Sequence, residues 1–264
     1  MHGVGRVVPL ALAIAKRTAL PSPDKPQHAP LLTAIHETAL AALRASPAAR
    51  MPGYEWCASL LKMVGREHDE ALHSDFIAAL LTPRTAGHLA RRLFDGLFEL
   101  GREGEETRPP RREFQVSYRG VGLETLVPNP NPDGAARPRI DVLARTRTRV
   151  LVIENRTHSA VSRSRTAEIA DTVTACYDDR RWRRSFVLLS PGGRTSGDPR
   201  FKGVSFLELF ELLREVRRTG ECLERAARLA DAYLTELAAI FVAPEVRNVM
   251  EGRRALQQAG YEDV

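Results

Sequence analysis

Four consecutive apolar residues, Val150-Leu151-Val152-Ile153, constrain the fold of this chain more than any other stretch. A half-buried strand alternates apolar and polar residues, whereas an unbroken apolar run is typical of a strand buried on both faces of its sheet. Such a strand requires a covering layer on each side. Helical periodicity before it (residues 54–100) and after it (165–182 and 205–241) supplies both layers. The sequence therefore predicts an α/β fold, with a mixed sheet core flanked by helices and a helical N-terminal part.

The length of the chain and its proline distribution predict the domain organisation. The 264 residues suffice for one domain with extensions and are few for two full domains. Four prolines between residues 19 and 30 predict an N-terminal extension over residues 1–30, because proline interrupts helices and central strands. We expect the domain to cover residues 31–245 and a C-terminal tail to cover residues 246–264.

Periodicity, turn residues and caps predict the individual elements. Apolar residues that recur at intervals of three and four indicate amphipathic helices, and a change to extended patterning after residue 113 indicates strands. The predicted helices cover residues 31–44, 54–64, 67–81, 87–100, 165–182 and 221–241, and one more follows the capping box of Ser205 and Glu208. The predicted strands cover residues 114–118, 139–144, 150–154 and 186–190. The second and third of these strands form a hairpin around the polar run at residues 145–149.

Charge, cysteine content and hydropathy exclude several classes of protein. The formal charge is +6 and the pI is near 9.6, which excludes an acidic solvating protein and permits a polyanionic partner. The three cysteines are far apart and lack a CxxC spacing, so we expect neither a disulfide framework nor a cysteine zinc site. The apolar run at residues 7–15 is about half the length that spans a bilayer. We therefore expect a cytoplasmic protein with no membrane partner.

Two acidic residues and an arginine on the predicted hairpin form the candidate chemical centre. If the strands are symmetric about residues 145–149, Asp141 and Glu154 lie opposite each other, with Cβ atoms about 5 Å apart. Like charges this close need a cation to stay ionised, and Mg²⁺ commonly takes one or two carboxylates together with water and phosphate oxygens. Arg156 lies two residues after Glu154 and hence on the same face of the strand. This arrangement suits metal-assisted hydrolysis of a phosphodiester. The same spacing also fits a structural role, in which the acids end two strands and Arg156 pairs with one of them.

Four short motifs together resemble those of the PD-(D/E)XK nuclease superfamily, which has a restriction-endonuclease-like fold. They are EALHSDFIAALLTP at 70–83, RIDVL at 139–143, VLVIENR at 150–156 and FVLLSPGG at 186–193. The branch they resemble has a Glu-x-x-His-Ser helix, an Ile-Asp strand and a Glu-Asn-Lys strand. The match runs in the expected order from about residue 54 to residue 215.

The resemblance implies a role for each acidic residue of these motifs. Asp141 and Glu154 would bind a divalent metal, Mg²⁺ or Mn²⁺, and Glu70 would add the acidic residue that an N-terminal helix contributes to the site. Arg156 stands where the family has its catalytic lysine. Arginine keeps the charge, but its pKa above about 12 prevents it from sharing a proton with the attacking water. We interpret His73, in the helical motif, as a histidine whose ring is satisfied by a backbone group rather than as a metal ligand.

The distribution of arginine indicates the partner. Residues 137–165 contain eight arginines and two acids, so this segment carries a net +6, equal to the charge of the whole chain. The segment at 180–184 adds a tryptophan among four arginines, a combination that suits both phosphate binding and base stacking. We expect contacts to nucleic acid, DNA rather than RNA, from Arg145, Arg147, Arg149, Arg163, Arg165, Arg181, Trp182 and Arg183. A solvated basic face in an arginine-rich chain remains the alternative.

Taken together, these features predict a divalent-metal-dependent nuclease that hydrolyses phosphodiester bonds in DNA, and the resemblance implies a setting in restriction or phage defence. The first alternative is a catalytically degenerate member of the superfamily that binds nucleic acid or a partner protein without cleavage. The second alternative is a helical interaction module whose sheet is only structural. The resemblance also implies a homodimer, although the sequence identifies no dimer face.

Overall fold

The computed structural model describes residues 59–101, 115–118, 138–157, 162–178, 180–193, 197–220 and 222–258. These residues divide between two compact units, one over Leu60–Leu237 and a second that includes the C-terminal helical segment from Ala238 onward. The expected extension over residues 1–30 and the predicted helix at 31–44 lie outside the described residues. The segment we expected to form a C-terminal tail begins inside a helix.

The described part of the larger unit has four helices, then three strands, one helix, two strands and two further helices. Its helices are α1 Leu60–Met63, α2 Glu70–Leu81, α3 Pro83–Ala86, α4 His88–Leu100, α5 Arg163–Cys176, α6 Phe206–Thr219 and α7 Glu224–Leu237. Its strands are β1 Gln115–Tyr118, β2 Val142–Arg145, β3 Arg149–Asn155, β4 Arg183–Ser190 and β5 Phe201–Ser205. Within the described residues of the second unit, a π-helical turn, Ala238–Val242, leads into α8, Ala243–Gln258.

The described strands form one mixed sheet in the order β1-β2-β3-β4-β5. The first three strands pair antiparallel, and β3, β4 and β5 pair parallel. Val142 pairs with Ile153 in the β2–β3 hairpin, which confirms the register that sets Asp141 opposite Glu154. Every residue of β3 is buried, as its continuous apolar run predicts.

Helices cover both faces of this sheet. On one face, Val150 and Val152 of β3 pack in a core cluster with Ile169 and Val173 of α5. On the other face, the hydroxyl of Ser185 in β4 donates to the carbonyl of Phe98 in α4 over 2.9 Å. The mixed α/β fold with flanking helices is thus confirmed.

Two element predictions are wrong in detail. Strand β5 has no clear sequence signal, because only Phe201 and Val204 of its five residues are buried and the residues between them are Lys202 and Gly203. The helix predicted at 165–182 ends at Cys176, since the following residues turn back toward β4. The capping box of Ser205 and Glu208 is present at the start of α6. Among the described residues, no helix is long and apolar enough to span a membrane.

Candidate functional site

The β2–β3 hairpin holds Asp141 and Glu154 together by reciprocal hydrogen bonds. The backbone N–H of Asp141 donates to Glu154 Oε1 over 3.1 Å, and the backbone N–H of Asn155 donates to Asp141 Oδ2 over 3.0 Å. Each carboxylate therefore fixes the backbone of the opposite strand at the point where the ladder ends. Both side chains point into the site that the register predicts.

Burial makes this pair electrostatically costly. Glu154 is 0% exposed and Asp141 is 7% exposed. Burial, together with the nearby charge of Asp141, raises the pKa of Glu154 from 4.5 to about 7, although Arg165 and Arg156 act in the opposite direction. A buried carboxylate with a raised pKa is stabilised in its charged form by any cation that approaches it.

The start of α2 brings Glu70 to the end of β3. Asp69 caps this helix by accepting hydrogen bonds from the N–H groups of Ala71 and Leu72. Asn155 Nδ2 donates to the carbonyl of Glu70 over 3.0 Å, and the N–H of Thr157 donates to Glu70 Oε1 over 3.1 Å. The helix N-terminus and the strand end are therefore joined through both the backbone and the side chain of Glu70.

The guanidinium of Arg156 lies between the three carboxylates. Its Nη1 is 2.8 Å from Glu70 Oε2 and 3.6 Å from Asp141 Oδ2, and its Nη2 is 3.3 Å from Glu154 Oε2. The side chain is only 11% exposed. The structure thus brings these four residues together, and Arg156 acts as the counter-ion of all three acids.

A second arginine reaches the same carboxylate from α5. Arg165 lies in the first turn of this helix, and its Nη2 is 3.5 Å from Glu154 Oε2 and 3.3 Å from the carbonyl of Arg139. Its side chain is 39% exposed, far more than that of Arg156. The sequence motifs did not identify the contact with Glu154, because α5 is separated from the hairpin along the chain.

Glu70, Asp141, Arg156 and Arg165 line a cleft of about 410 Å³. Its walls include His68, which precedes α2, Glu70 from the start of α2, Asp141 and Arg156 from the hairpin, and Arg165 from α5. Arg139, which belongs to the arginine-rich segment but not to the predicted contacts, also lines the cleft. The cleft therefore combines clustered acids with arginines from three separate chain segments.

His73 is a buried structural residue, as interpreted from the sequence. It is 0% exposed, and its ring nitrogens contact the carbonyl of Glu67 at 3.0 Å and the hydroxyl of Tyr233 at 3.2 Å. Burial lowers the pKa of His73. Both ring nitrogens are thus committed to contacts inside the protein.

The predicted arginine surface divides between two ends of the sheet. Arg163 is exposed beside Arg165 at the cleft end. Arg145 and Arg147 lie at the hairpin turn, which the seven residues of β3 separate from the cleft by roughly 20 Å. Arg145 and Arg147 are therefore close to the acid pair in sequence but distant from it in the structure.

Arg149 corrects the prediction of a nucleic-acid contact. Its guanidinium lies 5.0 Å from the ring centroids of both Phe94 and Phe98, and its Nη2 is 2.6 Å from Asp95 Oδ1. The side chain is only 7% exposed, because β3 is covered by α4 at this end. Arg149 thus anchors α4 to the sheet and does not face a solvent-exposed ligand.

The segment around Trp182 lies at the same distant end of the sheet. Arg183 pairs with Arg149 in the parallel β3–β4 ladder, so residues 180–183 lie beside the hairpin turn. Arg181 and Arg183 are exposed. Trp182 is half-buried, packs on the core cluster and meets Tyr177 edge-on at 4.8 Å, with the guanidinium of Arg181 5.7 Å from its ring centroid. The indole is therefore partly a core side chain.

The acid cluster contains the oxygen donors that divalent cations take in proteins, although they are not arranged around a metal ion. Within the part of the chain that the structure describes, no group of three or more histidine, cysteine, aspartate or glutamate side chains is arranged to hold a metal ion. In this cluster the guanidinium of Arg156 separates Glu70 from the hairpin acids. Mg²⁺ nevertheless commonly binds through one or two carboxylates and keeps several waters. Asp141 and Glu154 fit that requirement if the guanidinium withdraws.

Comparisons of the chain with protein-family models, curated proteins and solved structures found no match. The assignment of a function therefore depends on the residues of this chain and on their geometry.

Proposed function

We propose that this protein is a divalent-metal-dependent nuclease of the PD-(D/E)XK type, with a restriction-endonuclease-like fold, and that it hydrolyses phosphodiester bonds in DNA. The observation that carries the proposal is the convergence of Glu70, Asp141 and Glu154 on the guanidinium of Arg156. These residues come from a helix and from both strands of a hairpin. Motif similarity and spatial convergence are independent observations, and both favour the same site.

In this proposal, Asp141 and Glu154 hold Mg²⁺ or Mn²⁺, and Glu70 completes the acidic wall of the cleft. When bound, the metal supplies Lewis acidity to the scissile phosphate and lowers the pKa of the attacking water. The backbone hydrogen bonds of Asn155 and Asp141 hold the two carboxylates in place before any ligand arrives. An arginine of the cleft wall orients the phosphodiester and stabilises the negative charge that develops on it.

Metal-dependent cleavage tests this proposal. Supercoiled plasmid and a labelled RNA are incubated with the protein in Mg²⁺, in Mn²⁺ and in EDTA. We expect cleavage of the plasmid in either metal, no cleavage in EDTA, and less cleavage of RNA. The Asp141→Asn variant keeps an acceptor for the N–H of Asn155 and removes one metal ligand, so its cleavage rate falls by about 10²-fold or more.

The matched control is Glu224→Gln, which removes one carboxylate from an exposed position on α7. This control should cleave as the unaltered protein does. Equal rates for the unaltered protein and for Asp141→Asn, on both DNA and RNA, contradict the nuclease proposal.

A second function is favoured by the position of Arg156. Because this guanidinium pairs with all three acids, a protein in which it stays there has no place for the metal, and the fold then serves as a catalytically degenerate nucleic-acid or protein binder. The Arg156→Lys variant separates the two functions. Cleavage that appears only in the lysine variant indicates decay of an ancestral nuclease, whereas cleavage that disappears in it indicates that the arginine is part of the active site.

The proposed homodimer, the cytoplasmic location and the setting in restriction or phage defence stay predictions. Light scattering during size-exclusion chromatography, with and without a DNA duplex, measures the oligomeric state. We expect the mass of a dimer when DNA is bound, since two active sites in one dimer can reach both strands.

A further inference from the structure

The two cleft arginines differ in how fully their donors are used. Arg156 Nη1 donates to Glu70 Oε2 over 2.8 Å and to the carbonyl of Asn155 over 2.9 Å, and its Nη2 contacts Glu154. Its backbone N–H continues the parallel ladder by donating to the carbonyl of Leu189. Arg156 is therefore fixed by its backbone, by its guanidinium and by its 11% exposure.

Arg165 has donor capacity that the protein does not use. Its side chain makes two long contacts from Nη2, at 3.3 Å to the carbonyl of Arg139 and at 3.5 Å to Glu154 Oε2. Its Nε is buried and has no hydrogen-bond partner in the described part of the chain. A buried unsatisfied donor is costly unless a ligand or an ordered water completes it. The Nε–H group of Arg165 therefore lacks the hydrogen-bond acceptor that a ligand could supply.

The energetic cost of engaging a phosphate also differs between the two residues. If Arg156 turned toward a phosphate, three clustered carboxylates would lose their closest counter-ion in a largely buried site. If Arg165 turned toward a phosphate, it would give up only the two long contacts, and its 39% exposed side chain already lies on the cleft wall. Arginine matches phosphate geometry with two parallel N–H donors, and Nε is one of the donors that can form this fork.

We propose that Arg165, rather than Arg156, is the residue that binds the substrate phosphate in the cleft, while Arg156 stays paired with Glu70 inside the acid cluster and leaves Asp141 and Glu154 to the metal of the proposed function. This inference depends on the proposed function for its substrate class, since it takes the phosphate to be that of a DNA backbone. It transfers the phosphate-binding role from the position of the family's lysine to the first turn of α5. Arg156 is then a positioning residue that holds Glu70 against the hairpin acids.

Direct binding to a labelled DNA duplex of about 20 base pairs tests the inference, with Ca²⁺ in place of Mg²⁺ and fluorescence anisotropy as the readout. We expect the Arg165→Gln variant to bind about tenfold more weakly and the slope of log affinity against log salt to fall by about one. The Arg165→Lys variant should recover part of the affinity, because it restores the charge without the fork. The matched control is Arg228→Gln, which removes one exposed arginine charge on α7 and should change the affinity less than about twofold.

The Arg156→Gln variant should mainly lower stability, whereas Arg165→Gln should mainly lower DNA affinity. We expect a lower thermal midpoint, because three carboxylates lose their counter-ion, and a smaller loss of DNA affinity than in Arg165→Gln. If this variant does not fold, thermal shifts with inorganic phosphate provide the second measurement. Phosphate should raise the midpoint of the unaltered protein and of Arg228→Gln, and should have little effect on Arg165→Gln.

The outcomes separate this inference from the nuclease proposal. DNA affinity and a phosphate shift that are unchanged in Arg165→Gln overturn the inference and leave the nuclease proposal standing. DNA binding that depends on Arg165 without any cleavage supports the inference and contradicts the nuclease proposal. If the unaltered protein binds neither DNA nor phosphate, both proposals are wrong.

Discussion

The buried acid pair predicts a specific dependence of stability on pH, which the Glu154→Gln variant isolates in the metal-free protein. The pKa of Glu154 is about 7 in the folded protein, against an ordinary value of 4.5 for a glutamate, because burial and Asp141 disfavour its charged form. Between these two pH values the folded protein holds a proton that the unfolded chain has lost. The contribution of Glu154 to the unfolding free energy is therefore fully present below pH 4.5 and is lost as the pH rises to about 7.

The magnitude follows from the difference between the two pKa values. One pKa unit corresponds to about 1.4 kcal/mol, so the shift of Glu154 from 4.5 to about 7 corresponds to about 3 kcal/mol of unfolding free energy. Glutamine cannot ionise and therefore removes this pH dependence. The difference in unfolding free energy between the unaltered protein and Glu154→Gln should thus change by about 3 kcal/mol between pH 4.5 and pH 8, with the unaltered protein losing stability relative to the variant.

Urea unfolding in EDTA at half-unit pH steps measures this difference. Taking the difference between two proteins cancels the groups that titrate equally in both. A constant difference across the pH range would refute the argument, since it would mean that Glu154 ionises as readily in the folded protein as in the unfolded chain. Addition of Mg²⁺ at pH 8 should stabilise the unaltered protein more than Glu154→Gln, because only the charged carboxylate is a strong ligand.

Three further predictions concern the scaffold of the site. The Asn155→Ala variant loses the 3.0 Å hydrogen bond to the carbonyl of Glu70, and we expect urea unfolding to show a loss of about 1–3 kcal/mol; an unchanged free energy would mean that this bond does not hold α2 to β3. In Gly101→Ala the new Cβ would lie 2.3 Å from the hydroxyl of Ser185, so we expect a loss of about 1–3 kcal/mol that Ser185→Ala partly relieves. The Arg149→Met variant should lose about 3 kcal/mol of stability, measured by urea unfolding, and keep its DNA affinity. Weaker DNA binding by Arg149→Met at unchanged stability would argue against the buried role of Arg149.

The hairpin shows how much of the site local sequence determines. The apolar run of β3 and the polar run at residues 145–149 define the register, and the register alone sets Asp141 opposite Glu154. The helical spacing of residues 70–81 predicts that α2 forms, and the motif similarity predicts that Glu70 reaches the hairpin. These predictions succeed because they depend on short-range periodicity or on a motif that spans the contact.

The arginines show where this reasoning fails. A count of charge along residues 137–165 treats neighbours in sequence as neighbours in space, yet β3 carries Arg149 and Arg156 to opposite ends of the sheet. Arg149 became a core residue because α4 covers that end of the strand and places two phenylalanine rings and Asp95 around it. The pattern of apolar residues within β3 does not predict which helix packs over each end of the strand.

The sequence by itself determined the mixed α/β class, the register of the hairpin and the acidic residues of the site, because each follows from the period of apolar residues or from a short motif. Only the tertiary structure decided which charges meet. The packing of α2 and α5 against the end of β3 surrounds Arg156 with three carboxylates and leaves Arg165 on the cleft wall with an unused donor. Coulombic and hydrogen-bond energies depend on distances of a few ångströms between elements that are far apart in the chain, and the folded arrangement alone sets those distances.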